Sequence, residues 1–367
     1  MIHLLVSLFL QPAFAKGPTC CTFPTFEKPT YSYQESPRKF SANRSGGRLH
    51  AACDLYQTAK DQGVRSIQSG RVLRDLYYFY QGTYALELKH NDGTVVRYGE
   101  MTGQRPPGFD INRPVQIGQT IGYIGKVSSN CCDPMLHFEQ YQGTRSGPLT
   151  QPRANRFQRR ADLIDPTQNL LHWESRTFPP NSPIPSILMA PALSELKYWP
   201  HPIPNEQIST NKMLGALLLV ENSNLSPKDL VIELSKQDIP SKTTSNTNAE
   251  TGEMVLVQSL PANSTAHHFH AQYFGDGDSN YLLQHISFEI RPGIKSLQDL
   301  IDDIKTRAPN LGEPDLQTSE FVQWQLKDDR ILWIKILNKE DLQENPFYEY
   351  SLQDIGTLRV AIELDHE

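Results

Sequence analysis

Two stretches of the sequence, residues 47–56 (GRLHAACDLY) and residues 133–141 (DPMLHFEQY), decide how the N-terminal half of the chain folds. The first places His50 and Asp54 four positions apart, and the second places His137 inside a short run of strand-forming residues. One carboxylate and two imidazoles form a three-ligand set for zinc with an open fourth position, which is typical of catalytic zinc sites. An HxxxD pair also arises by chance, and a single histidine in a strand is often structural, so the spacing alone does not establish a metal site.

The residues around these stretches resemble the lysostaphin-type (LytM-type) zinc endopeptidases, which cut the peptides of bacterial peptidoglycan. In that family an HxGxD-like motif supplies two ligands, and the second histidine of an HxH motif supplies the third. Here HAACD has Ala52 at the usual glycine, and MLHFE has Met135 where the first histidine stands. The family's YxHL strand reads YGEM at residues 98–101, with Glu100 near the position of a catalytic histidine. The resemblance therefore implies three intact zinc ligands, His50, Asp54 and His137, and the loss of both catalytic histidines.

The resemblance extends over residues 40–172. PVQIGQTIGYIG at residues 114–125 resembles a glycine-containing segment of the family, and DPTQNL at residues 165–170 resembles its closing motif. A phosphate-binding glycine loop is the alternative for residues 114–125, but neither the Lys-Ser/Thr pair nor a helical pattern follows. The many short strands and turns, including a hairpin turn at residues 91–93 (NDG), predict an antiparallel all-β domain. We expect a two-layer sheet with a groove.

Glu100 is the candidate general base of such a site. A carboxylate can take a proton from zinc-activated water, as the glutamate of HExxH metalloproteases does, whereas the thioether of Met135 has no useful proton to give or take. Tyr98, Tyr123 and Arg44 are candidates for the role of the second histidine, and a solvated carboxylate is the alternative for Glu100. Two hypotheses follow: a zinc endopeptidase acting on peptidoglycan peptides, or a catalytically silent zinc- or peptidoglycan-binding module.

Composition and the N-terminus set the class of protein. The 367 residues carry a formal net charge of −6, which offers no basic excess for nucleic-acid binding. An apolar run before Ala13-Phe14-Ala15 predicts a signal peptide over residues 1–15 and hence a periplasmic or secreted bacterial protein, with no transmembrane segment in the mature chain. A housekeeping enzyme and an antibacterial effector are both compatible with export.

We predict structural roles, and not metal binding, for the cysteines and histidines outside the ligand set. In an exported chain, a disulfide from the Cys20/Cys21 pair to the Cys131/Cys132 pair is expected. The fifth cysteine, Cys53, is expected to be a small core residue rather than a zinc ligand. His90 is expected to form structural hydrogen bonds. We expect an exposed loop to contain the histidines at positions 267, 268, 270 and 285.

The remaining chain predicts an extended arm over residues 16–39, a proline-rich linker over residues 173–212 and an α+β domain over residues 213–367. Within this last domain, strands are predicted at residues 213–221, 230–234, 254–260, 282–290 and 358–364, a loop at 241–253, a helix at 297–307 capped by Ser296, and a hairpin over 320–326 and 330–337. We recognise no family in this domain, and a protein partner bound through it is a further expectation.

Overall fold

The computed structural model describes residues 20–178, 210–221, 225–248, 250–259, 266–275, 280–327, 329–343 and 354–365, apart from residues 130 and 153. The predicted signal peptide and most of the predicted linker lie outside these ranges. Among the described helices, none has the length and apolar character needed to span a membrane.

The N-terminal half is built from eight short strands. They are β1 (Cys53–Tyr56), β2 (Gly63–Arg65), β3 (Gly70–Tyr78), β4 (Tyr84–His90), β5 (Val95–Met101), β6 (Thr120–Tyr123), β7 (Met135–Tyr141) and β8 (Leu163–Ile164). Strands β1-β7-β5-β4-β3 form one sheet in that order, β8 pairs with β7, and β2 pairs with β6 in a separate ribbon. All these pairings are antiparallel. The predicted all-β class of this half is therefore confirmed.

The two faces of the main sheet differ in chemistry. Phe138 and Tyr98 point to an apolar face covered by helix α1 (Thr167–Thr177), where Phe138 and Trp173 meet edge to face with ring centroids 6.3 Å apart. Because side chains alternate along a strand, His137 and Glu139 point to the opposite face. The predicted domain end at residue 172 falls inside α1. The arm packs here too, since the Tyr33 hydroxyl donates to Glu174 Oε2 at 2.6 Å.

The predicted hairpin between β4 and β5 forms as the NDG sequence requires. Gly93 has a φ of +92°, and the Asp92 carboxylate accepts a hydrogen bond from the Thr94 amide at 2.9 Å. His90 ends β4, where it is buried and its Nε2 lies 3.4 Å from the Tyr98 hydroxyl. The structural role expected for His90 is confirmed.

The C-terminal part is an eight-stranded antiparallel sheet with helices. Its strands are β9 (Ser241–Asn248), β10 (Gly252–Ser259), β11 (Ala266–Gly275), β12 (Tyr281–Ile290), β13 (Leu316–Gln317), β14 (Phe321–Gln325), β15 (Arg330–Ile336) and β16 (Leu358–Leu364), and its helices are α2 (Thr210–Glu221), α3 (Pro227–Lys236), α4 (Leu297–Arg307) and α5 (Lys339–Gln343). The sheet order is β13-β14-β15-β16-β12-β11-β10-β9. The predicted α+β class is confirmed.

Three element predictions in this part were wrong. Residues 213–221 and 230–234 lie in helices α2 and α3, because leucine and alanine favour helix and because Ser226 caps α3, with Pro227 at its first position. Residues 241–248 form the edge strand β9, whose threonines favour a strand and which pairs with β10 along its whole length although it is largely exposed. Helix α4, the β14–β15 hairpin and the last strand are confirmed.

The C-terminal sheet has a different neighbour on each face. Leucines and isoleucines of α2, α3 and α4 share one core with β10, β12 and β15. On the opposite face, Phe274, Trp333 and Ala361 join the core of the N-terminal half beside Tyr77 and Phe79. The two halves are therefore packed together through apolar side chains.

Two further expectations are corrected. His270 and His285 are buried in β11 and β12 rather than exposed in a loop, because their side chains point to the sheet face that packs against the N-terminal half, where the ring centroids of His285 and Tyr78 are 3.7 Å apart; the side chains of residues 267 and 268 lie outside the described part. The disulfides join Cys20 to Cys21 and Cys131 to Cys132, not one pair to the other. The first pair lies beside Gln68 and the second beside the metal-ligand candidates, so a cross-link between the pairs is not formed.

Candidate metal centre

Strand pairing brings the three predicted ligands together. β1 and β7 run antiparallel with Asp54 opposite His137, and His50 lies just before β1. His137 Nδ1 lies 3.0 Å from Asp54 Oδ1, His50 Nε2 lies 3.1 Å from the same oxygen, and the two ring nitrogens are 3.4 Å apart. All three residues are buried, and one ligand atom from each falls within 4.8 Å of the others. In the described residues, this is the group of three that could hold a metal ion.

The second nitrogen of each imidazole has a fixed partner. His50 Nδ1 lies 2.9 Å from the Lys39 carbonyl oxygen, so it donates and leaves Nε2 free to bind a cation. His137 Nε2 lies 3.0 Å from Glu139 Oε1, so Nδ1 is the nitrogen that faces Asp54. A carboxylate or carbonyl behind a ligand histidine is the usual support of zinc sites, since it fixes the tautomer and raises ligand basicity. The donor set and its supports therefore fit zinc.

Glu139 is itself held by a buried network of charges. Its carboxylate accepts hydrogen bonds from Arg97 at 3.1 Å and Arg159 at 2.9 Å, and from the Tyr141 hydroxyl. Arg97 also binds Glu87 at 3.0 Å on the neighbouring strand. Burial would raise the pKa of Glu139, but Arg159 and Arg97 outweigh it and hold that pKa well below its usual range. The carboxylate behind His137 is therefore ionised.

Mutual interactions set the charge state of the ligands. Burial lowers the pKa of His50. Burial would raise the pKa of Asp54, but the imidazoles of His50 and His137 pull it below the usual range. Burial would lower the pKa of His137, yet hydrogen bonds to Asp54 and Glu139 raise it to about 9. A cation that binds here must displace the His137 proton, so its binding releases protons to solvent.

A small cavity opens onto the three ligands. It has a volume of about 130 Å³ and is lined by Pro37, Arg44, His50, Asp54, Tyr56, Glu100, Cys132, Met135 and His137. Glu100, the predicted base, and Met135, which stands at the first histidine of the family's HxH motif, both border it. The Arg44 guanidinium also lies here, 3.4 Å from Asp54 Oδ2 and 2.8 Å from the Pro37 carbonyl oxygen.

Strand β5 has an unusual backbone conformation beside this cavity. Glu100 has a φ of +57°, a left-handed conformation that costs a non-glycine residue about 1–2 kcal/mol. Its carbonyl oxygen accepts a hydrogen bond from the Gly125 amide at 2.8 Å, which helps to hold that conformation. Gly99 lies directly across from His137, and a methyl group at Gly99 would come within 3.3 Å of the His137 Cβ.

The other candidate residues differ in whether they contact the metal centre. Arg44 contacts the ligand Asp54, whereas Tyr98 points into the apolar core and its hydroxyl accepts from the Ile67 amide at 3.1 Å. Tyr123 is half-buried and does not line the cavity. Cys53 is fully buried and lies outside the ligand group, as expected. Glu139 was not predicted as a site residue, although its position two residues after His137 places both side chains on one strand face.

Comparison with known proteins agrees with this geometry. The model of peptidase family M23 matches residues 48–148. This stretch is a domain of peptidase family M23. Metallopeptidase and zinc-dependent hydrolase chemistry fit that family. A comparison with curated proteins finds no match.

Several solved structures match 33% to 40% of this chain. The catalytic domain of lysostaphin from Staphylococcus simulans is 21% identical, covers 36% of this chain and 89% of its own, and has a TM-score of 0.28. LytU is 16% identical, with coverages of 40% and 94% and a TM-score of 0.30. A zinc-containing peptidase from Vibrio cholerae is 22% identical, with coverages of 33% and 37% and a TM-score of 0.26. The family assignment rests on the match of residues 48–148 to the family model and not on these structural similarities.

Proposed function

We propose that this protein is a zinc-dependent endopeptidase that acts on peptidoglycan peptides. One observation carries the proposal: two imidazoles and a carboxylate converge at a cavity that a further carboxylate, Glu100, also borders. His50, Asp54 and His137 would hold the ion. Bound zinc supplies a Lewis acid that activates water and polarises a peptide carbonyl.

Glu100 is proposed as the general base. It takes a proton from the attacking water and afterwards returns it to the leaving amine, the two proton transfers that peptide hydrolysis requires. The left-handed backbone at Glu100 supports this role, because strained residues that the surrounding fold holds in place cluster at active sites. Glu100 thereby replaces one lost histidine.

Arg44 is proposed to take over charge stabilisation from the second lost histidine. Met135 lines the cavity but offers no hydrogen-bond donor of use. The Arg44 guanidinium is largely buried at the same cavity and carries a permanent positive charge. A fixed donor of this kind stabilises the negative charge that develops on the carbonyl oxygen during attack.

The test compares wild type with Glu100→Gln on purified sacculi and on soluble cross-linked wall peptides. We expect the variant to keep its zinc, measured by elemental analysis, and to lose about 10²- to 10⁴-fold in hydrolysis rate, because the amide cannot take a proton. Glu320→Gln, at an exposed position outside the N-terminal half, is the matched control and should hydrolyse at the wild-type rate. A chelator should abolish hydrolysis by wild type.

The alternative is a catalytically silent module that binds zinc or peptidoglycan. The apolar Met135 at a histidine position is the observation that favours it. If zinc is retained but neither wild type nor Glu100→Gln hydrolyses any wall substrate, the enzyme proposal is wrong and the binding module stands. If no divalent ion is retained at all, both readings of the metal centre fail.

A further inference from the structure

The disulfide between Cys131 and Cys132 lies at the edge of the metal-ligand cavity. Two residues separate it from β7, the strand that carries His137. Cys132 is half-buried and lines the cavity together with the three ligands, while Cys131 is exposed. Cys132 thus borders the site, and Cys131 is exposed to solvent, where a reductant has access to the disulfide.

The oxidation state of Cys132 decides whether it can bind zinc. A sulfur in a disulfide has no charge to offer a cation, whereas a thiolate is among the strongest protein ligands for zinc. With His50, Asp54 and His137 already placed, a fourth ligand would complete the tetrahedral set that structural zinc sites use. Catalytic sites need that fourth position open for water and substrate.

We propose that Cys132 is a reserve zinc ligand, which closes the metal centre when the Cys131–Cys132 disulfide is reduced. The inference rests on the proposed zinc site. A dithiol reductant supplies two electrons and two protons, the S–S bond breaks, both cysteines become thiols, and the reductant becomes a disulfide. The Cys132 thiol then loses its proton to solvent and its sulfur binds zinc. Hydrolysis is therefore active in oxidising surroundings and silent in reducing ones.

The other cysteines lack this placement. Cys20 and Cys21 form a pair at which Gln68 Nε2 lies 2.8 Å from Cys20 Sγ, and neither cysteine lines the cavity. Cys53 is fully buried 3.4 Å from the Thr167 hydroxyl, and burial raises the pKa of its thiol to about 12. Reduction of the protein thus gives the metal centre one new ligand among the described cysteines.

The test replaces zinc with cobalt(II), whose absorption reports thiolate ligation independently of activity. The protein is recorded oxidised and after a phosphine reductant, which gives the same thiols and becomes its oxide. We expect a thiolate-to-cobalt charge-transfer band only after reduction. Zinc affinity, measured by chelator competition, should rise about tenfold or more on reduction, because an anionic ligand is added.

Three variants make the test specific. Cys132→Ser should show no band in either state, and Cys20→Ser, which opens the distant disulfide, should behave as wild type. Cys131→Ser should show the band without reductant, since its Cys132 is never oxidised, and this positive signal holds even if Cys132→Ser fails to fold. A spectrum and a zinc affinity that do not change on reduction would overturn this inference and leave the proposed enzyme intact. Failure to bind cobalt in either state would overturn both.

Discussion

At the scale of single residues, the carboxylate of Glu139 decides which nitrogen of His137 faces Asp54. It accepts from Nε2 at 3.0 Å, so Nδ1 is turned toward the other two ligands. Glu139 is in turn held by Arg97 and Arg159. Its position is therefore fixed by residues outside the ligand group, and the placement of His137 depends on this buried network.

We predict that Glu139→Gln weakens zinc binding by about 10- to 100-fold, the usual effect of removing a support behind a ligand histidine. Zinc affinity is measured by chelator competition. Glu87→Gln is the matched control, because Glu87 is also buried and binds Arg97 at 3.0 Å but makes no contact with His137. Equal losses of affinity in the two variants would show that only the charge network, and not the support of His137, matters.

The three ligands could be predicted from sequence because they lie in short motifs whose spacing resembles a family. Glu139 could not be assigned a role in the same way. Its role depends on which nitrogen of His137 faces the site, and a linear pattern does not contain that orientation. The contact of Arg44 with Asp54 likewise depends on the path of the chain just before β1, which shows no periodicity.

At the scale of elements, strands β5 and β7 pack closely at Gly99 because this residue has no side chain. Gly99 lies opposite His137, and a Cβ there would come 2.8 Å from a Phe79 ring carbon and 3.3 Å from the His137 Cβ. Because Glu100 is the next residue on β5, a shift of this strand would move the proposed base relative to the ligand His137 on β7.

We predict that Gly99→Ala destabilises the fold by about 1–3 kcal/mol, since the added methyl forces neighbours apart in a packed interior. It should also weaken zinc binding by displacing His137. Urea denaturation and zinc titration measure the two effects. Gly215→Ala is the control. Gly215 lies in helix α2, and a Cβ added there would be 3.5 Å from the nearest atom, Gln237 Oε1, so the free energy of unfolding should be unchanged or slightly raised. Unaltered zinc affinity in Gly99→Ala would contradict the predicted displacement of His137.

Elements differed in how far sequence alone predicted them. Helix α4 has a capping box between Ser296 and Asp299 and an apolar stripe at helical spacing, so two independent signals agree. Helix α2 has an almost continuous apolar run, which a strand and a buried helix share, and only its packing against the sheet decides between them. Edge strand β9 is polar on both sides and is specified by its pairing with β10.

At the scale of the whole molecule, the two halves meet around the buried carboxyl of Glu363. Its Oε1 accepts from the Gln81 amide of the N-terminal half and from the Trp333 indole, both at 2.8 Å. Its Oε2 lies 3.2 Å from His285 Nδ1, and His285 Nε2 lies 2.9 Å from the Ser287 hydroxyl. Burial lowers the pKa of His285 well below its usual range, so this imidazole is neutral.

Burial raises the pKa of Glu363 from its ordinary 4.5 to about 7, despite donors from Tyr78, Gln81 and Trp333. Between about pH 4.5 and pH 7, Glu363 holds a proton in the folded protein that it has lost in the unfolded chain. The free energy of unfolding therefore falls as pH rises: the contribution is fully present below about 4.5 and lost above about 7, up to about 3 kcal/mol in all. The junction between the halves is thus weakest in alkaline solution.

We predict that Glu363→Gln removes this pH dependence, because the amide keeps the acceptor oxygen and the shape of the protonated acid but cannot ionise. Urea denaturation of both proteins at about pH 5 and about pH 8 measures it. Relative to wild type, the variant should gain about 2–3 kcal/mol between the two pH values. Asp54 and Glu139 titrate alike in both proteins, so their pH dependence cancels in the difference. Parallel pH profiles would show that Glu363 is ionised in the fold at both values and that the junction tolerates a buried charge.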